Sequence, residues 1–295
     1  MSQQPPPALV LLGLPADEKS SYMRGAALAP SRIREALACA SSNLCAEDGF
    51  DLGADGAYED AGDLPLGGSF DAAAIEAAVA AALNRGAALA RGPAARVLCL
   101  GGDHAVTLPI LRACARAYAR AKAQVHGAQT KALQVLHLDA HPDLYPELDG
   151  DLYSHACPFA RALEEGLVSR LIQVGIRGMN AAQRAVADRH GVEVLDMAAF
   201  ARGRRPSITG EFYLSLDLDV LDPAFAPGLS HREPGGLSVR EAIELIQSTP
   251  GTLIGADLVE YNPTRDIDGM TGMVAAKLLK EIAARLARGG GPWEP

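Results

Sequence analysis

Leu136-His137-Leu138-Asp139-Ala140-His141-Pro142-Asp143-Leu144-Tyr145 is the stretch on which the fold turns. The apolar run Leu133–Leu138 predicts a buried strand, and Asp139, His141 and Asp143 stand at its C-terminal end. Alternate residues of an extended chain point to the same side. Three ligand-type side chains are therefore expected to converge where a parallel strand opens into a loop. Two further segments repeat the arrangement. Gly101-Gly102-Asp103-His104 follows the apolar run Val97–Leu100, and Ser215-Leu216-Asp217-Leu218-Asp219 follows Phe212–Leu214. Open α/β sheets bind ligands outside the carboxyl ends of their strands. His104, Asp139, His141, Asp143, Asp217 and Asp219 thus form one candidate site, while Asp103 and Asp222 read as caps of turns or helices.

Outward from this stretch, strand-like and helix-like segments alternate. Strands are expected at 8–14, 97–100, 133–138, 171–176, 192–195, 212–218 and 253–259, with a short edge strand inside the Gly-, Asp- and Ser-rich excursion 41–69. Helices are expected from Pro30-Ser31 with Ser31 as cap, from Asp71 as N-cap, and over 105–123, 158–165 and 181–190. Two more follow, over 238–248 with a capping-box pattern in Ser238 and Glu241, and over 271–288 as an amphipathic closing helix. The polar residues 124–131 lead into the central strand. Such alternation predicts a three-layer α/β/α domain with a mostly parallel central sheet, spanning 1–295 as a single domain. A closed eight-fold barrel is the competing architecture, disfavoured by the irregular excursion.

Composition narrows the function. Nearly half of the 295 residues are hydrophobic, enough for a large core. A net charge of -9 with no basic stripe argues against a nucleic-acid partner and favours a cationic substrate. Five cysteines without a C-x-x-C pair fit core packing in a reducing compartment. The N-terminus lacks a basic n-region, and the alanine-rich helix from Asp71 is broken by Glu76 and Arg85, so neither a signal peptide nor a membrane span is expected. These readings together predict a cytoplasmic chain with no membrane partner.

Two imidazoles and four carboxylates without a thiolate suit hard or borderline ions such as Mn²⁺. Six ligands are many for one ion and suit two, bridged by carboxylates roughly 3.5–4 Å apart. Without metal the clustered anions should repel, raising carboxylate pKa values. Metal pairs serve phosphoesterases too, so Glu260 matters: it ends the Leu253–Val259 run, and an anion there would repel phosphate but pair bidentately with a guanidinium.

At this point the chain resembles the ureohydrolases, the family of arginase, agmatinase and their relatives. The resemblance rests on Gly101–His104, Asp139–Asp143, Ser154-His155, Ser215–Asp219 and Glu260, and extends over nearly the whole chain. Ser20–Gly25, Val174–Arg177, Asp222–Gly228 and Gly269–Thr271 also look like family segments, and Gly228–Ser238 looks most like the plant-type arginase branch. It implies an arginase-like fold and two Mn²⁺ per chain. One ion would take His104, Asp139, Asp143 and Asp217. The other would take His141, Asp139, Asp217 and Asp219, with Asp139 and Asp217 bridging. His155 would be the proton shuttle and Glu260 the guanidinium holder, with Asp143 counted beside them as catalytic. The substrate would be a small cationic guanidino compound, most simply L-arginine giving L-ornithine and urea, and the assembly a homotrimer or homohexamer.

Departures from the animal arginase pattern bear on the substrate's far end. Tyr145 stands where that pattern has Asn, and Asn180 stands where it has an Asp that grips the α-amino group. Arg232, in the Gly228–Gly236 loop, is a candidate partner for a substrate carboxylate, as a guanidinium fork suits one. Agmatine, or another guanidino acid, is the alternative substrate, and Ni or Co the alternative metal. A single-zinc amide deacetylase would not need both His104 and Asp219, and an inactive relative would be expected to lose ligands.

Overall fold

The computed structural model describes residues 9–90, 96–126 and 132–293. The expected strand residue Ala8, the N-terminal segment 1–7 and most of the polar link before the central strand lie outside them. Eight strands form one sheet: β1 Leu9–Leu14, β2 Glu59–Asp63, β3 Arg96–Gly101, β4 Leu133–Leu138, β5 Val168–Ile176, β6 Glu193–Asp196, β7 Glu211–Asp217 and β8 Thr252–Val259. Their order is β2-β1-β3-β8-β7-β4-β5-β6, and every pairing is parallel. The sheet is open, with β2 and β6 as edges, so the barrel is excluded.

The central strands are continuous apolar runs because both faces are covered. On one face pack α1 Ala29–Leu37, α6 Met197–Ala201, α7 Val239–Ser248 and α8 Met270–Ala287, around Leu98, Leu136, Leu214 and Leu258. On the other lie α2 Ala72–Ala90, α3 Thr107–His126, α4 Pro158–Glu164 and α5 Ala181–His190, against Val97, Val135, Leu171 and Tyr213. Because all strands run the same way, the C-terminal ends of the adjacent β3, β8, β7 and β4 share one edge of the sheet. That edge carries the candidate site.

Local expectations hold at several helix starts. The Asp71 carboxylate accepts from Ala74 N, and Ser238 and Glu241 form a reciprocal capping box. Ser31 does not cap α1. Pro30 occupies the first turn, and the Ser31 hydroxyl donates back to Leu28 O. The helix α8 is not an amphipathic surface helix, since Lys280, Glu281 and Arg285 are themselves buried. Arg285 spends its guanidinium on the carbonyls of Ile246, Thr249, Gly251 and Gly290, which makes its burial tolerable. The short helix α6, capped by Asp196, has no counterpart among the expected elements. All five cysteines are free, with Cys99, Cys114 and Cys157 buried. None of the described helices is long and apolar enough to cross a membrane.

Candidate metal centre

The edge is stitched by backbone contacts that only a glycine admits. Asp103 N donates to Ala16 O and Glu260 N to Gly102 O, at 2.8 Å each, tying the ends of β1, β3 and β8 together. A Cβ on Gly102 would lie 1.8 Å from Ala16 O. Just beyond, Asp103 caps the turn His104–Val106 through Ala105 N, which points the His104 ring into the sheet edge.

His104 Nδ1 lies 3.2 Å from Asp139 Oδ2, 2.9 Å from Asp143 Oδ2 and 3.3 Å from Asp217 Oδ2. A second group stands beside it, with His141 Nδ1 at 2.9 Å from Asp219 Oδ2 and 3.6 Å from Asp139 Oδ1. Asp139 thus gives one oxygen to each group. Asp217 faces the His104 group through Oδ2, while its Oδ1 accepts from Asp219 N at 2.7 Å. The convergence also differs in origin from the expectation. The strand ends at Leu138, and Asp143 sits in the left-handed region at φ 50°. Strand alternation would have placed Asp139, His141 and Asp143 on one side; the curled loop instead sends Asp143 to the His104 group and His141 to the Asp219 group.

The chemistry of the His104 group fits a metal. Ser215 Oγ donates to Asp257 Oδ1 at 2.7 Å and lies 3.0 Å from His104 Nε2, so it accepts the Nε2–H. Burial raises the Asp257 pKa, and bonds from the Tyr213 and Thr107 hydroxyls offset part of that rise. The His104 Nδ1 lone pair then faces three carboxylate oxygens and has no hydrogen-bond partner. Such an arrangement is repulsive unless a cation lies among them. Without metal that cation is a proton on Nδ1, since burial acts downward on the His104 pKa but the three carboxylates outweigh it and raise it well above the usual imidazole value. Oxygen and imidazole donors without sulfur match a hard or borderline divalent ion. Asp139, His141 and Asp219 likewise bring ligand atoms within 4.8 Å of one another.

Electrostatics carry the same message. Burial and the charges of Asp219 and Asp139 push Asp217 well above the usual carboxylate range. Burial and Asp139 push Asp219 up to about 6, against the pull of His141. The expectation of raised pKa values fails at Asp139: burial acts upward there, but His137, His104 and His141 outweigh it and hold it low.

Glu260 and His155 form a second unit. Glu260 follows β8 in the left-handed region at φ 64°. Its Oε1 accepts both from His104 N at 2.9 Å and from His155 Nδ1 at 3.0 Å. His155 Nε2 lies 2.8 Å from Ser21 Oγ, and its ring packs 5.1 Å from that of His231. Burial disfavours the imidazolium of His155, but the bond to Glu260 and its charge outweigh burial and raise the pKa to about 9.

Two sequence readings need correction or narrowing. Arg232 was expected to take a substrate carboxylate. It is exposed, and its Nε and Nη2 donate to the carbonyls of Pro227 and Arg265, so its fork braces the loop. Asn180 is the N-cap of α5, accepting from Gln183 N while its Nδ2 donates to Tyr145 Oη at 2.5 Å. Sequence reasoning also missed His137, Ser215, Asp257, Gln173 and His231. A signal existed for two of them: His137 and Ser215 each stand two residues before a ligand aspartate in an otherwise apolar strand.

Comparison with known proteins agrees with this geometry. The sequence model described as "Arginase family" matches residues 7–284. "Arginase 1, mitochondrial" of Arabidopsis thaliana is 41% identical over 288 residues, covering 94% of this chain and 81% of that protein. The solved arginase of Medicago truncatula superposes with a TM-score of 0.83 at 39% identity, covering 95% of this chain and 88% of that one. A structure described as a hypothetical agmatinase from Burkholderia thailandensis gives 0.74 at 30% identity, covering 98% and 88%. The plant relative's mitochondrial name overturns the cytoplasmic expectation, which is withdrawn. Free cysteines do not single out the cytosol. The chain belongs to the arginase family, whose hydrolases act on C–N bonds of linear amidines, bind small guanidino substrates and depend on metal.

Proposed function

We propose that this member of the arginase family is a binuclear manganese ureohydrolase converting L-arginine to L-ornithine and urea. The observation that carries the reading is Asp139, whose two oxygens face two separate His–carboxylate groups, next to the buried Glu260–His155 pair. His104, Asp139, Asp143 and Asp217 would hold one ion, and His141, Asp139, Asp217 and Asp219 the other. Bound divalent ions supply Lewis acidity and make water nucleophilic near neutral pH.

The chain's own groups supply the rest. Glu260 commits only Oε1 to His104 N and His155, so the carboxylate keeps its charge and a second oxygen for the planar guanidinium. Its pKa is lowered, since the bond and charge of His155 overcome the penalty of burial. His155, protonated and 3.0 Å from that carboxylate, stands ready to give a proton to the departing amine as the C–N bond breaks. Ser21 and Glu260 hold the two nitrogens of its ring and so fix its orientation. Asn180, paired with Tyr145, is our candidate for the far end of the substrate.

Agmatine is the second reading, favoured by the Burkholderia thailandensis likeness and by the loss of Arg232 as a carboxylate partner. A homotrimer or homohexamer of single-domain chains completes the proposal. The test is urea release from arginine, agmatine, guanidinobutyrate and guanidine, with metal content by elemental analysis. About two ions per chain and preferred turnover of arginine are expected. A metal-free chain as purified that gains no activity from Mn²⁺, or a preference for agmatine, would refute the respective half.

A further inference from the structure

Beneath the metal centre, strand register sets Gln173, His137, Ser215 and Asp257 side by side on β5, β4, β7 and β8. All four are completely buried. A polar row in an apolar layer is costly unless its donors meet acceptors. Ser215 and Asp257 are accounted for by His104. The other half of the row is not absorbed by the reaction.

Gln173 Nε2 lies 2.6 Å from Pro142 O and 3.0 Å from His137 Nδ1. A carbonyl oxygen only accepts, so the amide must turn its nitrogen this way, and its two hydrogens serve both acceptors. It does so although Gln173 Oε1 is left buried without a partner. His137 Nδ1 is therefore an acceptor and the ring proton sits on Nε2, 2.7 Å from Asp139 Oδ2. His104, His137 and Asp139 lie close enough together to hold an ion, but this tautomer leaves His137 Nε2 no lone pair to give.

We propose that His137, fixed in its Nε2–H form by Gln173, is a positioning residue that assigns each oxygen of Asp139 to one half of the metal centre. The Nε2–H takes Oδ2, the oxygen 3.2 Å from His104 Nδ1. The backbone N–H of His141 takes Oδ1 at 2.6 Å, the oxygen facing His141 Nδ1. Two donors, one per oxygen, stop the carboxylate from rotating or from closing on a single ion. Phe159 backs the device, with its ring 4.0 Å from His137 and edge-on at 5.4 Å to His104. Gln173 also fixes the carbonyl between His141 and Asp143, so one amide sets both the tautomer and the loop.

This inference rests on the metal reading of the site, and its test reads metal binding in place of turnover. The full-length protein is stripped with a chelator and titrated with Mn²⁺, free ion being followed by electron paramagnetic resonance and the fold by circular dichroism. Wild type is expected to bind two ions. His137→Phe fills the space without the N–H and should weaken one of the two about 10–100-fold, the usual cost of losing a partner behind a ligand. Gln173→Leu should act in the same direction. His137→Gln places an amide N–H where Nε2 was and should retain wild-type affinity. A folded His137→Phe with both ions at wild-type affinity overturns the proposal. So does equal weakening in the Phe and Gln variants, because then ring packing and not the N–H is what counts. If His137→Phe does not fold, unchanged binding by Gln173→Leu overturns it instead. A wild-type chain that binds no Mn²⁺ defeats the underlying metal reading, an outcome distinct from two bound ions that ignore these substitutions.

Discussion

Asp217→Asn should make the metal-free protein more stable and the metal-loaded protein less so. Asp217 Oδ2 and Asp139 Oδ2 lie 3.3 and 3.2 Å from the same His104 Nδ1. They are therefore at most about 6.5 Å apart, and at an effective dielectric near 20 their repulsion is of order 2–3 kcal/mol. Their mutual charge and burial already raise the Asp217 pKa. The sign follows: a carboxylate whose folded pKa lies above its unfolded value binds more protons when folded, so it destabilises the fold once pH exceeds the unfolded value. Asparagine removes that penalty and can still accept from Asp219 N through Oδ1. Part of the gain is lost because His104, whose proton the three carboxylates share in the apo state, keeps only two of them. A net rise of a few degrees in Tm is expected in chelator at pH 7.5, at roughly 2–4 °C per kcal/mol for a chain of this size. In Mn²⁺ the order should reverse. Wild type gains about 2.7 kcal/mol per site at one hundred times Kd, and the variant loses most of it. Scanning calorimetry in both conditions reads this directly. A variant less stable than wild type in chelator as well as in Mn²⁺ would refute the repulsion argument.

His155→Asn should keep its metal while kcat falls by about 10²–10⁴, the range of general acid–base catalysis. In metal-free protein His155 has a folded pKa near 9, above its unfolded value. Its stabilisation is therefore complete below the unfolded pKa near 6.5 and lost as pH rises through about 9; that part of the Tm–pH slope should vanish in the variant. Glu260→Gln should raise KM and lower the apparent pKa of His155 together, measured as a pH–rate profile; a change in neither would remove Glu260 from the site. Arg232→Ala should change arginine and agmatine turnover alike, because its donors hold Pro227 and Arg265 carbonyls. A loss confined to arginine would restore the carboxylate role.

The clustered imidazoles and carboxylates were legible because their signal is local. His104, Asp139 and Asp217 each break an apolar run where a strand ends, and a parallel sheet brings such ends to one edge. Strand and helix alternation fixed the layers for the same reason: period and punctuation are properties of short segments. Asp71 and Ser238 announced their helices through capping chemistry within four residues.

What the chain order alone could not decide was anything set by register or by competition between distant partners. Neighbours in the row Gln173, His137, Ser215 and Asp257 lie 36, 78 and 42 residues apart in sequence, and only the pairing of β5, β4, β7 and β8 makes them a row. Arg232 looked like a substrate ligand until Pro227 and Arg265 carbonyls claimed it, and only the fold showed that Asn180 also caps α5. The residue types and their spacing determined that a cluster of imidazoles and carboxylates would gather at one sheet edge. The tertiary structure decided which oxygen faces which nitrogen, because hydrogen bonds are directional and their partners arrive from separate strands.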